Sequence, residues 1–346
     1  MQALAYAYSE PTLTASYKVH NADFQVREVL NFDPDGEGEH LFLLVEKDGL
    51  TTQNVQKRLM QYFRLPGRDV SFSGMKDKQA ITQQWFSVKL GNKEAGDVGQ
   101  LNSEHIQIKH IQRNKRKLQR GSHGSNQFFI RLRNLSDSAE SLIQRLQKVS
   151  LEGVPNYFGE QRFGANGANG DNVDKALQLF SGKLKVKDRY QRSIYLSAAR
   201  AYLFNKVLSQ RVEDKTWNSY IAGDLMCLAG SSASFKPAAW DQILNDRLAK
   251  KDIHPSGPLW GGGELLSEGL CALLEKEVLS SEHEMRQGLE DAGLKQARRA
   301  LRSMPENLSY KIEDENTVVL EFSLAKGAYA TSFLRELVKL RPSEFS

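Results

Sequence analysis

Apolar and polar positions alternate with period two in DFQVREVL, HLFLLVEK, WFSVKL, EHIQIKHI, QFFIRLR and, near the C-terminus, TVVLEFSL. Each reads as a strand with one buried face. These stretches dominate residues 20–135 and return after about 305. Helical spacing takes over at Val55, Leu59 and Phe63, behind a Thr51-Thr52 cap. It recurs between Ser136 and Val149, where Leu142, Ile143, Leu146 and Val149 share a face. From about 153 to 303 the texture changes. Helical stretches such as SIYLSAARAYLFNKVLSQ alternate with Gly/Pro-rich segments read as loops, NYFGEQRFGANGANGDN and HPSGPLWGGGE. A β-rich start, a mixed middle and a returning strand predict one domain inserted into another, giving two lobes with a cleft.

A chain of 346 residues accommodates about two domains. Cys227 and Cys271 are far apart, and no Cys-x-x-Cys or Cys/His spacing occurs. Neither a disulfide framework nor a metal site is expected. The N-terminus lacks the basic and apolar regions of a signal peptide, and no apolar run reaches about 18 residues. A cytoplasmic protein with no membrane partner is the expectation.

Charge sharpens the picture through its distribution. The net charge is +5, and no acidic residue falls between His105 and Ser136. That span holds Lys109, Arg113, Lys115, Arg116, Lys117, Arg120, Arg131 and Arg133. A second basic run comprises Lys183, Lys185, Lys187, Arg189 and Arg192; a third, on a helix-like segment, comprises Lys295, Arg298, Arg299 and Arg302. One such run is ordinary solvated surface, whereas three together favour a nucleic-acid partner. Arg113, Lys115, Arg116, Lys117 and Arg120 are the candidate backbone-binding residues.

Within SFSGMKDKQAITQQWFSV, Asp77 stands between Lys76 and Lys78. Val70, Phe72, Trp85, Phe86 and Val88 flank it as strand formers, so it is expected on a tight connection at a sheet rim, with Gly74 permitting the turn. An anion between cations suits a nucleophile better than a general acid. FDPDGEGEH has the wrong spacing for a calcium loop and reads as a turn. GANGANG is neither a Walker loop nor a dinucleotide fingerprint and reads as a flexible or RNA-facing loop. Phe24, Phe128 and Tyr329 are aromatics set among polar or basic residues. Nucleobases stack on such faces. Asn126, two residues before Phe128, would share its face of a strand and read a pyrimidine edge.

The motifs GMKDK, SNQF after KRKLQRG, VPNYFGEQRFG, PSGPLWG and KGAYATSFLREL occur in order across some three hundred residues. Together they resemble the tRNA pseudouridine synthase D family. The resemblance implies an α+β protein with a mixed, largely antiparallel catalytic domain at 1–151 plus 304–346, and a second, inserted α/β domain at 152–303. It implies that Asp77 is the catalytic aspartate, and that Phe24, Asn126, Tyr329 and Lys18 line the uridine site. The implied activity is isomerisation of uridine to pseudouridine in tRNA, at position 13, without a cofactor or an obligatory protein partner, in a monomer. Ser125 stands where the family has Gly, and Ala325 where it has Pro; neither removes a chemical group. Two rivals stay open: a non-catalytic RNA binder, and a hydrolase of N-glycosidic bonds.

Overall fold

A computed structural model describes residues 4–164, 170–231 and 233–341. Most of the GANGANG stretch lies outside the described residues. The chain divides into two units. The first comprises Thr12–Gln144, Pro305–Gly327 and Val338–Ser346; the second comprises Met1–Pro11, Arg145–Met304 and Ala328–Leu337.

All six alternating stretches form strands of one eight-stranded sheet in the first unit. Numbered along the chain within this sheet, they are β1 (Phe24–Leu30), β2 (His40–Asp48), β3 (Val70–Phe72), β4 (Ile81–Lys89), β5 (Ile106–Asn114), β6 (His123–Leu132), β7 (Glu306–Asp314) and β8 (Thr317–Ala325). The order is β7-β8-β6-β1-β4-β2-β5, with β3 also against β4. Every pairing is antiparallel except that of β1 with β4. This is the mixed, largely antiparallel sheet of the expected α+β fold. β7 escaped the pattern because nearly all its residues are exposed, which leaves no apolar face to alternate.

β2 is buried on both faces: Leu41, Leu43 and Val45 on one, Phe42 and Leu44 on the other. Helix α1 (Thr52–Phe63) covers the first face with Val55 and Leu59, which cluster with Phe72, Phe86 and Val88. Its N-terminus is capped as expected, with Thr51 Oγ1 accepting from the Asn54 N–H at 3.1 Å.

In the second unit, SIYLSAARAYLFNKVLSQ lies within a 25-residue helix, Arg189–Glu213. Its residues Ala198, Ala199, Ala201, Leu203 and Phe204 are fully buried. A four-stranded antiparallel sheet runs in the order Ser234–Phe235, Met226–Leu228, Ile253–Leu259, Ala297–Ala300. The third of these strands corrects the reading of HPSGPLWGGGE as a loop. The ladder to Met226–Leu228 ends at Pro255 and the one to Ala297–Ala300 begins at Ser256, so Pro255 and Pro258 each belong to one ladder only. Gly257 is required because a Cβ there would meet Phe204 Cε2 at 3.1 Å and Leu301 Cδ2 at 2.8 Å.

The third basic run is also corrected. Its three arginines lie on strands, not on a helix, and Arg298 and Arg302 are buried. The Arg298 guanidinium is 2.8 Å from the Glu275 carboxylate. Arg302 donates to His254 Nδ1 at 3.0 Å and to the carbonyls of Leu248 and Ile253. Both arginines are over nine-tenths buried. Their charge is spent on internal acceptors, not displayed to a polyanion.

Candidate active site

Asp77 lies on the connection between β3 and β4. Three buried side chains hold that connection by its main chain. Gln84 Nε2 donates to the Gly74 carbonyl, Thr52 Oγ1 accepts from the Lys76 N–H at 3.0 Å, and Lys47 Nζ donates to the Asp77 carbonyl at 2.6 Å. Lys47 is 1% exposed. Burial draws its ammonium down to about 8, against the pull of the Asp77 charge.

The Asp77 carboxylate meets Lys18, whose Nζ is 2.6 Å from Oδ2. Lys18 Nζ also stands 4.2 Å from the centroid of the Phe24 ring. Lys18 occupies the left-handed region at φ 56°. For a residue with a Cβ this costs about 1–2 kcal/mol, so the surrounding contacts impose it.

The flanking lysines do not do what their adjacency implied. Lys76 turns away to the buried Glu28 carboxylate at 2.9 Å and to Asn126 Oδ1 at 2.7 Å, while Lys78 is exposed. The cation on Asp77 is supplied from 59 residues earlier in the chain.

Asn126 and Phe128 lie two apart on β6, which puts them on one face of the strand. Asn126 is 9% exposed. Phe128 packs edge-on against Phe24, with centroids 6.2 Å apart, and stacks on Phe322 at 5.3 Å. Phe24 is itself 3% exposed. Asp77, Lys18, Phe24, Asn126 and Phe128 therefore all belong to the first unit. Tyr329 belongs to the second. Its hydroxyl accepts from Arg162 Nε at 3.0 Å, and its ring faces Gly159, where a Cβ would come within 3.0 Å of Cδ1.

Lys47, Glu28 and Arg162 were not singled out from sequence, although the first two carried a signal. Lys47 continues the inward series Leu41, Leu43, Val45, and Glu28 continues Phe24, Val26. A charged residue on the buried register of a strand has to be paired or put to use.

The five candidate backbone-binding residues divide. Arg116, Lys117 and Arg120 are exposed, with Lys117 Nζ donating to the Arg68 carbonyl at 2.6 Å and the Arg120 guanidinium 5.7 Å from the centroid of the Phe72 ring. Arg113 sends its guanidinium to the carbonyls of Gly38, Gly91 and Lys93. Lys115 pairs with Glu37 at 2.7 Å, both side chains being well exposed. An acid-free stretch of sequence is thus not acid-free in space. Across the sheet Arg131 meets Asp23 and Glu313, and Arg133 meets Asp23. In the second unit, Lys183, Lys185, Lys187, Arg189 and Arg192 are all exposed. Among the described residues no helix is long and apolar enough to cross a membrane.

Comparison with known proteins gives a single answer. The family model described as tRNA pseudouridine synthase D (TruD) matches residues 1–181 and 170–337. A tRNA pseudouridine synthase D of Shewanella oneidensis is 43% identical over 338 residues, covering 98% of this chain and 90% of its own length. One of Methylococcus capsulatus is 42% identical over 339 residues, covering 98% and 95%. A crystal structure from Methanosarcina mazei, of a protein provisionally given the same name, shares the fold. Its TM-score is 0.74 at 20% identity, covering 96% of this chain and 95% of that one. With matches of this extent, the chain belongs to the tRNA pseudouridine synthase D family.

Proposed function

We propose that this protein converts a uridine of tRNA, at position 13, into pseudouridine, with Asp77 as the reacting carboxylate. The observation that carries the reading is the mounting of Asp77. Its main chain is held by a buried lysine, its side chain by a second lysine, and a strand bearing Asn126 and Phe128 lies in the same unit. Isomerisation breaks the N1–C1′ bond and forms C5–C1′; C5 loses a hydrogen and N1 gains one. The balance needs no oxidant and no nucleotide. Asp77 attacks C1′, adds to C6 of the base, or takes the C2′ proton; an ionised carboxylate serves all three routes.

The base has to leave the RNA stack, at a cost of a few kcal/mol that stacking and edge hydrogen bonds offset. Asn126, Phe24 and Phe128 are proposed to supply these. Lys18 Nζ lies over the Phe24 ring, so stacking on that ring requires the ammonium to move aside. Tyr329 keeps the role that the family resemblance assigns, and that role rests on sequence alone.

The test uses tRNA tritiated at uridine C5, with tritium and free base counted in parallel. One tritium released per pseudouridine formed, without uracil, is the expected result. Released uracil would favour the hydrolase, and neither signal, with tight binding to a known target tRNA, the non-catalytic binder.

Affinity for the RNA backbone is proposed to come from the exposed cations. Replacing Arg116, Lys117 and Arg120 together by Gln is expected to weaken tRNA binding and flatten its log–log salt dependence by roughly one unit for each phosphate no longer neutralised. Arg113→Gln is expected to loosen its loops and leave that slope nearly as it was. An unchanged slope in the triple variant would return the cluster to solvated surface.

A further inference from the structure

A lysine ammonium carries three donors and no acceptor. Lys76 Nζ, 2.7 Å from the Asn126 side chain, therefore faces the amide oxygen and cannot face the nitrogen. That fixes the whole amide. Asn126 Nδ2 turns to the other side, where it lies 3.5 Å from His123 Nε2. Burial, followed by the charge of Lys76, holds His123 down to about 4, so the ring is neutral near pH 7. Nε2 then accepts from Asn126, and Nδ1–H donates to Ser73 Oγ at 2.5 Å. Ser73 Oγ also accepts the His123 main-chain N–H at 3.0 Å. At the other end Lys76 is tied to Glu28, 2.9 Å away, whose Oε1 accepts from the Trp85 N–H. Glu28, Ser73, His123 and Asn126 are each 9% exposed or less. The polarity of this chain is set by the one member that can only donate.

Two hydrogen-bonding positions of the amide remain for a ligand: the second Nδ2 hydrogen and the second lone pair of Oδ1. Uracil presents an N3–H donor beside carbonyl acceptors, which matches an amide in this orientation. Cytosine presents the reverse, an N3 acceptor beside an N4 amino donor. It would be matched by the same amide turned over, and turning it over would set an NH2 group against the Lys76 ammonium. We propose that Lys76 is a specificity-determining residue: it holds Asn126 in the orientation that accepts uracil and forbids the one that would accept cytosine. The inference rests on the proposed function, in which Asn126 reads the target base. It adds the sense in which Asn126 reads and the residue that imposes it.

The test is competition binding in an Asp77→Asn background, so that bound uridine is not converted. The two ligands are a tRNA that the wild-type protein modifies and the same tRNA with cytidine at the modified position. The Asp77→Asn protein is expected to prefer the uridine form by about tenfold or more, the worth of one mismatched buried hydrogen bond. Adding Lys76→Met is expected to bring that preference to within about twofold, because the amide is then free to turn. Lys76→Met leaves the Glu28 carboxylate buried beside an apolar side chain. A parallel variant, Glu28→Gln with Lys76→Met, removes both charges and keeps the test alive if the single change unfolds the protein. A folded variant of either kind that retains the full preference overturns the proposal, as does an Asp77→Asn protein with no preference at all. Pseudouridine formation undiminished by Asp77→Asn strikes the proposed function instead, and the two failures are distinguishable.

Discussion

Asp77→Asn is expected to leave the protein folded and able to bind tRNA while reducing pseudouridine formation about a thousandfold or more. The separation follows from how the residue is mounted. Lys47, Thr52 and Gln84 hold residues 74–77 through main-chain atoms, and these are untouched by the exchange of one side-chain oxygen for nitrogen. What is lost is the anion. Lys18 is left facing a neutral amide, but its side chain keeps some access to water at 11% exposure, so the residual charge is tolerated. The measurement pairs tritium release from C5 with tRNA affinity and a thermal melt on the same preparation. Turnover within about tenfold of wild type from a protein free of Asp77 would end the assignment. Loss of turnover together with the fold would show that Asp77 is a structural anchor.

Local sequence revealed the position of Asp77 but not its partners, and the reason is geometric. Alternation locates strands because one face is buried, and every alternating stretch became a strand of the first unit. The rim connection follows from two strands that must join. The partners of a residue on such a connection come from wherever the sheet brings them. Lys76 turns to Glu28 and Asn126 and Lys78 is exposed, so the two sequence neighbours were poor guides to what touches Asp77. Lys18 and Lys47 reach it from 59 and 30 residues away. The same limit explains the charge runs. Arg131 and Arg133 have no acidic neighbour in sequence, yet the order β7-β8-β6-β1 carries Glu313 and Asp23 to them. Arg298 and Arg302 read as surface because arginine is seldom fully buried. Here Glu275 and main-chain carbonyls supply what burial demands.

Those buried arginines carry the second large effect, the loss of stability in acid. Arg302 Nε donates to His254 Nδ1 at 3.0 Å, so that nitrogen must hold a lone pair, and a proton there would face a guanidinium. Burial first, then the charges of Arg302 and Lys251, lower His254 from 6.5 to about 4. Above pH 6.5 neither the folded nor the unfolded state binds this proton, and the histidine contributes no pH dependence. Between 6.5 and 4 the unfolded chain binds it and the folded protein does not, so stability falls with each step toward acid. The full difference is on the order of 3 kcal/mol, at 1.36 kcal/mol per unit. His123 in the first unit, also held at about 4 by burial, is expected to act in the same direction. Urea unfolding followed from pH 7 to pH 4 is expected to show this decline. His254→Gln should flatten the share belonging to the second unit, because a glutamine oxygen accepts from Arg302 without binding a proton. A variant whose stability falls as steeply as wild type across that range would show that His254 is not the group responsible.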